Sequence, residues 1–136
     1  MVEIELTERS LVLNMRGINR FLALRQRVEC ALTDVRSVTV GIPIELRELP
    51  FCATRKIGTR LILGSTRIII GSFGTLSDGD YFYAINSGER AITIALDHGH
   101  QTAFNALVIE VADPAGMAHA IGAAAERAKA AVGGVA

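Results

Sequence analysis

Residues 1–112 carry a succession of short apolar and polar alternations, and only then does Asp113-Pro114 open the one long helical pattern of the chain, which runs almost to its end. A run of strands followed by a single helix restricts the architecture to a mainly β, α+β domain in which the helix closes an otherwise open end of the sheet. With 136 residues the chain amounts to one domain, 1–136, large enough to bury a core without disulfide or metal staples.

Val2, Ile4 and Leu6 alternate with Glu3 and Glu5, the period of a strand with one wet face, and Leu11, Leu13 and Met15 continue it beyond a polar turn, predicting a hairpin. Gly17 interrupts the pattern, and Ile18, Phe21 and Leu24 then recur every third residue, predicting a short helical turn over one end of the sheet. Residues 27–31 predict a third strand with Val28 and Cys30 facing in. Thr33 and Asp34 predict a corner turned by side-chain bonds to backbone, after which Val38 and Val40 resume a strand that ends at Gly41. Residues 42–60, with Pro43 and Pro50 and no sustained period, predict a long irregular connection.

Beyond it, β-rich runs at 61–63 and 66–72 flank Gly64-Ser65, and a strand at 81–85 follows the turn-forming Ser77-Asp78-Gly79-Asp80. Ile92, Ile94 and Leu96 alternate with Thr93 and Ala95, and Leu107, Ile109 and Val111 mark the last strand. Asp113 suits a helix N-cap and Pro114 its first turn, predicting a helix over 114–131 that Gly133-Gly134 ends. Met117, Ile121, Ala124 or Ala125, and Ala128 form its apolar stripe, with Glu126, Arg127 and Lys129 off it and His119 in water.

Charge is balanced overall but not along the chain. Residues 1–70 hold eleven Lys or Arg against seven Asp or Glu, and residues 71–136 hold three against seven. Arg20, Arg25 and Arg27 gather around the short helical turn, while Arg55, Lys56 and Arg60 populate the 42–60 connection, which is apolar at Leu49 and Phe51. An apolar anchor beside cations on a long connection is the composition of a binding surface. No block of five like charges occurs and Trp is absent, which argues against nucleic acid as partner. Two cysteines, Cys30 and Cys52, form neither a CxxC pair nor a framework, which points to a reducing cytoplasm. The N-terminus lacks the plan of a signal peptide, and no apolar run is long enough to span a membrane.

Asp97-His98-Gly99-His100 is the one cluster with metal-ligand chemistry, but it lacks a further ligand at supporting spacing and reads as a turn. Gly71-Ser72-Phe73-Gly74-Thr75 has no following Lys-Ser/Thr and no helix, so it reads as a bulged or closely packed strand rather than a phosphate cradle. No Ser, Thr or Cys nucleophile pairs with a base. The expectation is therefore a non-catalytic chain with no cofactor and no metal.

Residues 2–15, Phe21-Leu22-Ala23-Leu24-Arg25, Leu32-Thr33-Asp34-Val35-Arg36-Ser37-Val38, Gly71-Ser72-Phe73-Gly74-Thr75, Glu89-Arg90-Ala91-Ile92-Thr93-Ile94 and Leu107-Val108-Ile109-Glu110-Val111-Ala112-Asp113-Pro114 occur in an order that resembles a bacterial pleckstrin-homology-like (PH-like) domain. The resemblance implies a strongly bent, seven-stranded antiparallel barrel, or two orthogonal sheets, capped by one C-terminal helix. It also implies a scaffold that binds lipids, peptides or other subunits. The loop Thr7-Glu8-Arg9-Ser10 sets one cation beside one anion and so departs from the cationic loop of phosphoinositide-binding members. The expected function is a binding and assembly module. Its partner is a protein or a second copy, met through an edge strand or the 42–60 segment; the alternative is an anionic ligand or lipid headgroup on the Arg-rich surface.

Overall fold

A computed structural model of the chain describes residues 3–14, 27–42, 54–63, 66–75, 79–85, 90–97 and 104–133. Alternation and turn chemistry build its first layer. Glu3–Leu6 (β1) and Ser10–Asn14 (β2) form the predicted hairpin, pinned by Thr7, whose hydroxyl accepts the Ser10 N–H at 2.9 Å while its own N–H donates to the Ser10 carbonyl at 3.0 Å. Arg27–Ala31 (β3) pairs antiparallel with β2, setting Cys30 opposite Leu11 and Val28 opposite Leu13, all buried. The order β1-β2-β3 completes a three-stranded sheet.

A 3-10 turn, Leu32–Asp34, makes the corner where Thr33 and Asp34 suggested one, but backbone bonds close it rather than side chains. Val35 donates its N–H to the Leu32 carbonyl, and Leu32 donates to the Arg9 carbonyl at 2.8 Å. Beyond the corner the chain enters a second sheet of six strands: Val35–Val40 (β4), Thr54–Leu63 (β5), Thr66–Thr75 (β6), Gly79–Ile85 (β7), Ala91–Leu96 (β8) and Phe104–Glu110 (β9), ordered β4-β8-β9-β7-β6-β5. Neither sheet closes on itself among the described residues. Their nine strands also exceed the expected seven, and β9, slotted between β7 and β8, runs parallel to β7 where an all-antiparallel sheet was expected.

The expected irregular connection over residues 42–60 is corrected at its C-terminal end. Residues 54–60 belong to β5, paired with β6 over the full ten-residue strand. The reason is a bulge: the register shifts between Arg55 and Ile57, opposite Phe73 and Ser72, so Lys56 throws the alternation out of phase and no period survives in the sequence. Gly71-Ser72-Phe73-Gly74-Thr75 lies within β6 and faces that bulge, as its reading as a closely packed strand required.

The six-stranded sheet is buried on both faces along its centre. Phe82, Ile92, Ile94, Leu107 and Ile109 face the three-stranded sheet and the helix, where Phe82 and Phe104 stack as tilted rings 5.6 Å apart. Ile69, Tyr83, Ile85, Ala91 and Val108 form a second cluster on the other side. Thr93, which alternates with Ile92 and Ile94, is therefore buried as well, and its hydroxyl is satisfied by donating to the Gly41 carbonyl at 2.8 Å.

Pro114–Gly133 (α1) opens as predicted. Asp113 accepts the Gly116 N–H on its carboxylate at 3.1 Å and the Met117 N–H on its carbonyl at 2.9 Å. Ile121, Ala124, Ala125 and Ala128 are buried against the main core with Met117 packed beside them, and His119 is exposed. Ala-rich contact lets α1 approach the sheet closely but leaves Ile121 as its large anchor. Ile121→Ala is expected to cost about 2–4 kcal/mol in chemical denaturation, while His119→Ala stays within about 0.5 kcal/mol. The two helical glycines separate as well. A Cβ on Gly122 meets nothing within 4 Å, so Gly122→Ala gains about 0.5–1 kcal/mol. A Cβ on Gly116 would collide with the Asp113 carboxylate, so Gly116→Ala displaces the cap and forfeits that gain.

Candidate binding surface

The backbone of β4 has two hydrogen-bonding sides, and the ladder to β8 uses one. Gly41 donates its N–H to the Ala91 carbonyl at 2.8 Å, which makes Gly41 and Ala91 a hydrogen-bonded pair; in an antiparallel ladder the same holds every second residue, for Thr39 with Thr93 and Ser37 with Ala95. Val38 and Val40 therefore turn their N–H and C=O groups away from β8, to the outer edge of the sheet. Among the described residues nothing bonds them there.

At the other end of β4 the outer edge is closed. The register shifts between Val35 and Ser37, and Asp97 donates to the Asp34 carbonyl at 2.8 Å, so beyond the bulge it is Val35 that points outward. Both its groups are already engaged: its N–H in the 3-10 turn, and its carbonyl by the Lys129 ammonium, which reaches over from α1 to 2.6 Å. Arg36, in the bulge, lies 3.9 Å from Asp97 with both side chains largely in water, an ion pair of little energetic weight. Gly41 ends the strand with φ at 92°, a conformation that side chains rarely adopt. The open edge is thus the short window 38–40, and Val40 is 56% exposed within it.

A second feature flanks the helix. An open groove of about 690 Å³ runs between the β1–β2 turn, with Leu6, Thr7 and Glu8, and the C-terminal half of α1, with Ala124, Arg127, Ala128 and Ala131. Leu6, expected on the inner face of β1, is 36% exposed there because it is the strand's last residue before the turn.

Arg55, Lys56 and Arg60 stand on β5 and Arg27 opens β3; Arg20, Arg25, Leu49 and Phe51 lie outside the described residues, as do the short helical turn, Cys52, His98 and His100. In the β5–β6 ladder Arg60 is opposite Ile69 and Arg67 opposite Ile62, so the two hold diagonal register positions. No group of three or more His, Cys, Asp or Glu that could hold a metal occurs among the described residues, and no described helix is long and apolar enough to cross a membrane. An edge strand was expected as a meeting surface, but not that β4 would be it, and the Lys129 bond was not foreseen. Val38-Thr39-Val40 before a glycine signals a strand, but nothing local signals that the strand lies at the rim.

Compared with protein-family models, with curated proteins and with solved structures, the chain has no match.

Cys30 is free and sits in the core. Burial, reinforced by the charges of Asp34 and Glu29, pushes its thiol up to about 12, so the thiolate that nucleophilic chemistry needs is suppressed. Tyr83 is shifted upward too, by burial and then by Tyr81. Thiol reagents are expected to leave Cys30 unlabelled in the folded chain and to label it on unfolding. Because the folded value is the raised one, the contribution to stability is complete below the ordinary thiol value of 9.0 and is lost as pH rises toward 12. Denaturation curves across that window should be less steep in pH for Cys30→Val, by up to about 1.4 kcal/mol per pH unit.

Proposed function

We propose that the chain is a binding and assembly module that works by protein–protein contact rather than by catalysis. The observation that carries this is the open edge at Val38 and Val40, two residues that offer backbone donors and acceptors outward while Val40 presents apolar surface beside them. An extended segment that lies along such an edge gains main-chain hydrogen bonds and continues the sheet. Suppression of the Cys30 thiolate by burial points the same way, and its free thiol suits a reducing compartment such as the cytoplasm.

The PH-like resemblance is part of the proposal. It draws support from a mainly β core packed against one C-terminal helix, and the parallel β7–β9 pair and the strand count are where the chain departs from a seven-stranded antiparallel barrel.

Selection of random extended peptides displayed on phage tests the binding role. Wild-type protein is expected to enrich β-branched sequences that Val40→Pro fails to retain, since proline deletes an outward N–H that nothing among the described residues bonds. Equal enrichment on both proteins would remove the edge from the binding surface.

A second reading has its own observation, the diagonal register positions of Arg60 and Arg67 in the β5–β6 hairpin, a spacing that suits an anionic ligand or lipid headgroup. Sedimentation with phosphatidylserine vesicles checks it: binding lost in high salt and in Arg60→Glu/Arg67→Glu supports this reading, and no binding at low salt removes it.

A further inference from the structure

We propose that the occupant of the open edge is a second copy of the chain, paired antiparallel through β4 about a two-fold axis at Thr39, so that Val38 of one copy meets Val40 of the other. This rests on the assembly reading above and names its partner. The geometry is self-complementary. Each copy offers two outward N–H donors, on Val38 and Val40, and two outward carbonyl acceptors on the same residues. Antiparallel pairing of 38 with 40 and of 40 with 38 joins all of them in four bonds with none left over, which is the pattern of two hydrogen-bonded pairs flanking one non-hydrogen-bonded pair. That central pair is Thr39 with Thr39, a favourable cross-strand match.

The limits of the edge fit the same partner. Lys129 and the bulge close one end, and Gly41 ends the strand at the other, so the window admits a short strand rather than a long peptide. Another copy brings a window of the same length, with the same groups engaged on either side of it. Val38 is packed against the main core and Val40 follows two residues on, so both lie on the helix side of the sheet, and α1 packs on β4 there. The joined sheets would carry the apolar layer across the seam with a helix on each side.

Electrostatics raise no obstacle. The chain is neutral overall, and the exposed surface of α1 carries both signs, Glu126 with Arg127 and Lys129. Arg36 of one copy and Arg36 of the other stand three residues to either side of the axis, about 20 Å apart along the strands, beyond the screening length at physiological salt. A seam of this size buries less than a standard interface, so the pair forms reversibly and its population depends on concentration.

Sedimentation velocity over a wide concentration range, on the whole chain, measures the association. Dimer formation is expected, weakened about tenfold or more by Val40→Pro, because that substitution removes two of the four bonds across the axis. Circular dichroism and melting should stay near wild type, since the Val40 N–H bonds nothing among the described residues of one copy. A cross-link reads the register independently of that variant. In a Cys52→Ser background, Thr39→Cys sets two sulfurs across the axis at disulfide range, whereas Ser37→Cys leaves its pair about 13 Å apart, too far to bridge. Oxidised dimer from Thr39→Cys and none from Ser37→Cys is the expected result. A chain that stays monomeric and does not cross-link at Thr39 overturns the proposal, as does a dimer whose affinity Val40→Pro leaves unchanged or one that cross-links equally at both positions. If the monomer still selects displayed peptides through β4, the second copy is refuted while the assembly reading stands; if it selects none, both fall.

Discussion

Backbone groups that leave water must find partners, and β4 is where this requirement is hardest to meet. The strand leaves the three-stranded sheet through a 3-10 turn, joins the rim of the six-stranded sheet, and has β8 on one side only. Three devices answer the requirement in turn. The 3-10 turn takes the Val35 N–H, a lysine from the far end of the sequence takes the Val35 carbonyl, and a β-bulge between them lets the strand switch which residues face the ladder. The Lys129 bond also ties α1 to the strand it packs on, so the helix and the sheet rim are fixed by one contact. At Val38 and Val40, further along the strand, the outward groups meet no partner among the described residues.

Burial of the sheet on two sides explains why its central strands are so apolar. β7, β8 and β9 bury residues of both parities, Phe82 and Tyr83, Ile92 and Thr93, Leu107 and Val108, and a strand in that position cannot keep a wet face. Thr93 is tolerated because its hydroxyl reaches the carbonyl of Gly41, the residue whose positive φ turns the chain out of the sheet. One polar side chain in the sheet thus secures the end of the neighbouring strand.

What was legible in the sequence was local. Asp113-Pro114, the stripe of Ile121, Ala124, Ala125 and Ala128, the inward Val28 and Cys30, and the β1–β2 hairpin all follow from caps, turns and short-range periods, and all are present. What was hidden depended on partners distant in sequence. Residues 54–60 of β5 were read as connection because the bulge at Lys56 breaks the alternation, and the burial of Thr93 had no local signal because one strand cannot reveal that both of its faces are covered. The rim position of β4 follows from its pairing with β8 alone among the described strands, a choice of topology with no residue-level mark. Of the candidate site, Arg55, Lys56 and Arg60 were legible as basic but not as residues of a strand, and Val38 and Val40 were legible as a strand but not as an edge.

The alanine-rich contact of α1 has a consequence for how the molecule comes apart. Each buried alanine contributes well under the 1.5–3 kcal/mol or so of a large aliphatic side chain, so the docking of α1 is concentrated in Ile121, Met117 and the Lys129 bond. A helix attached at so few points detaches as a unit, in one sub-global opening of lower free energy than the unpairing of β7, β8 and β9, whose residues hold both clusters together. Its departure would free the Val35 carbonyl, lengthening the open rim of β4 just as the core beneath it becomes wet.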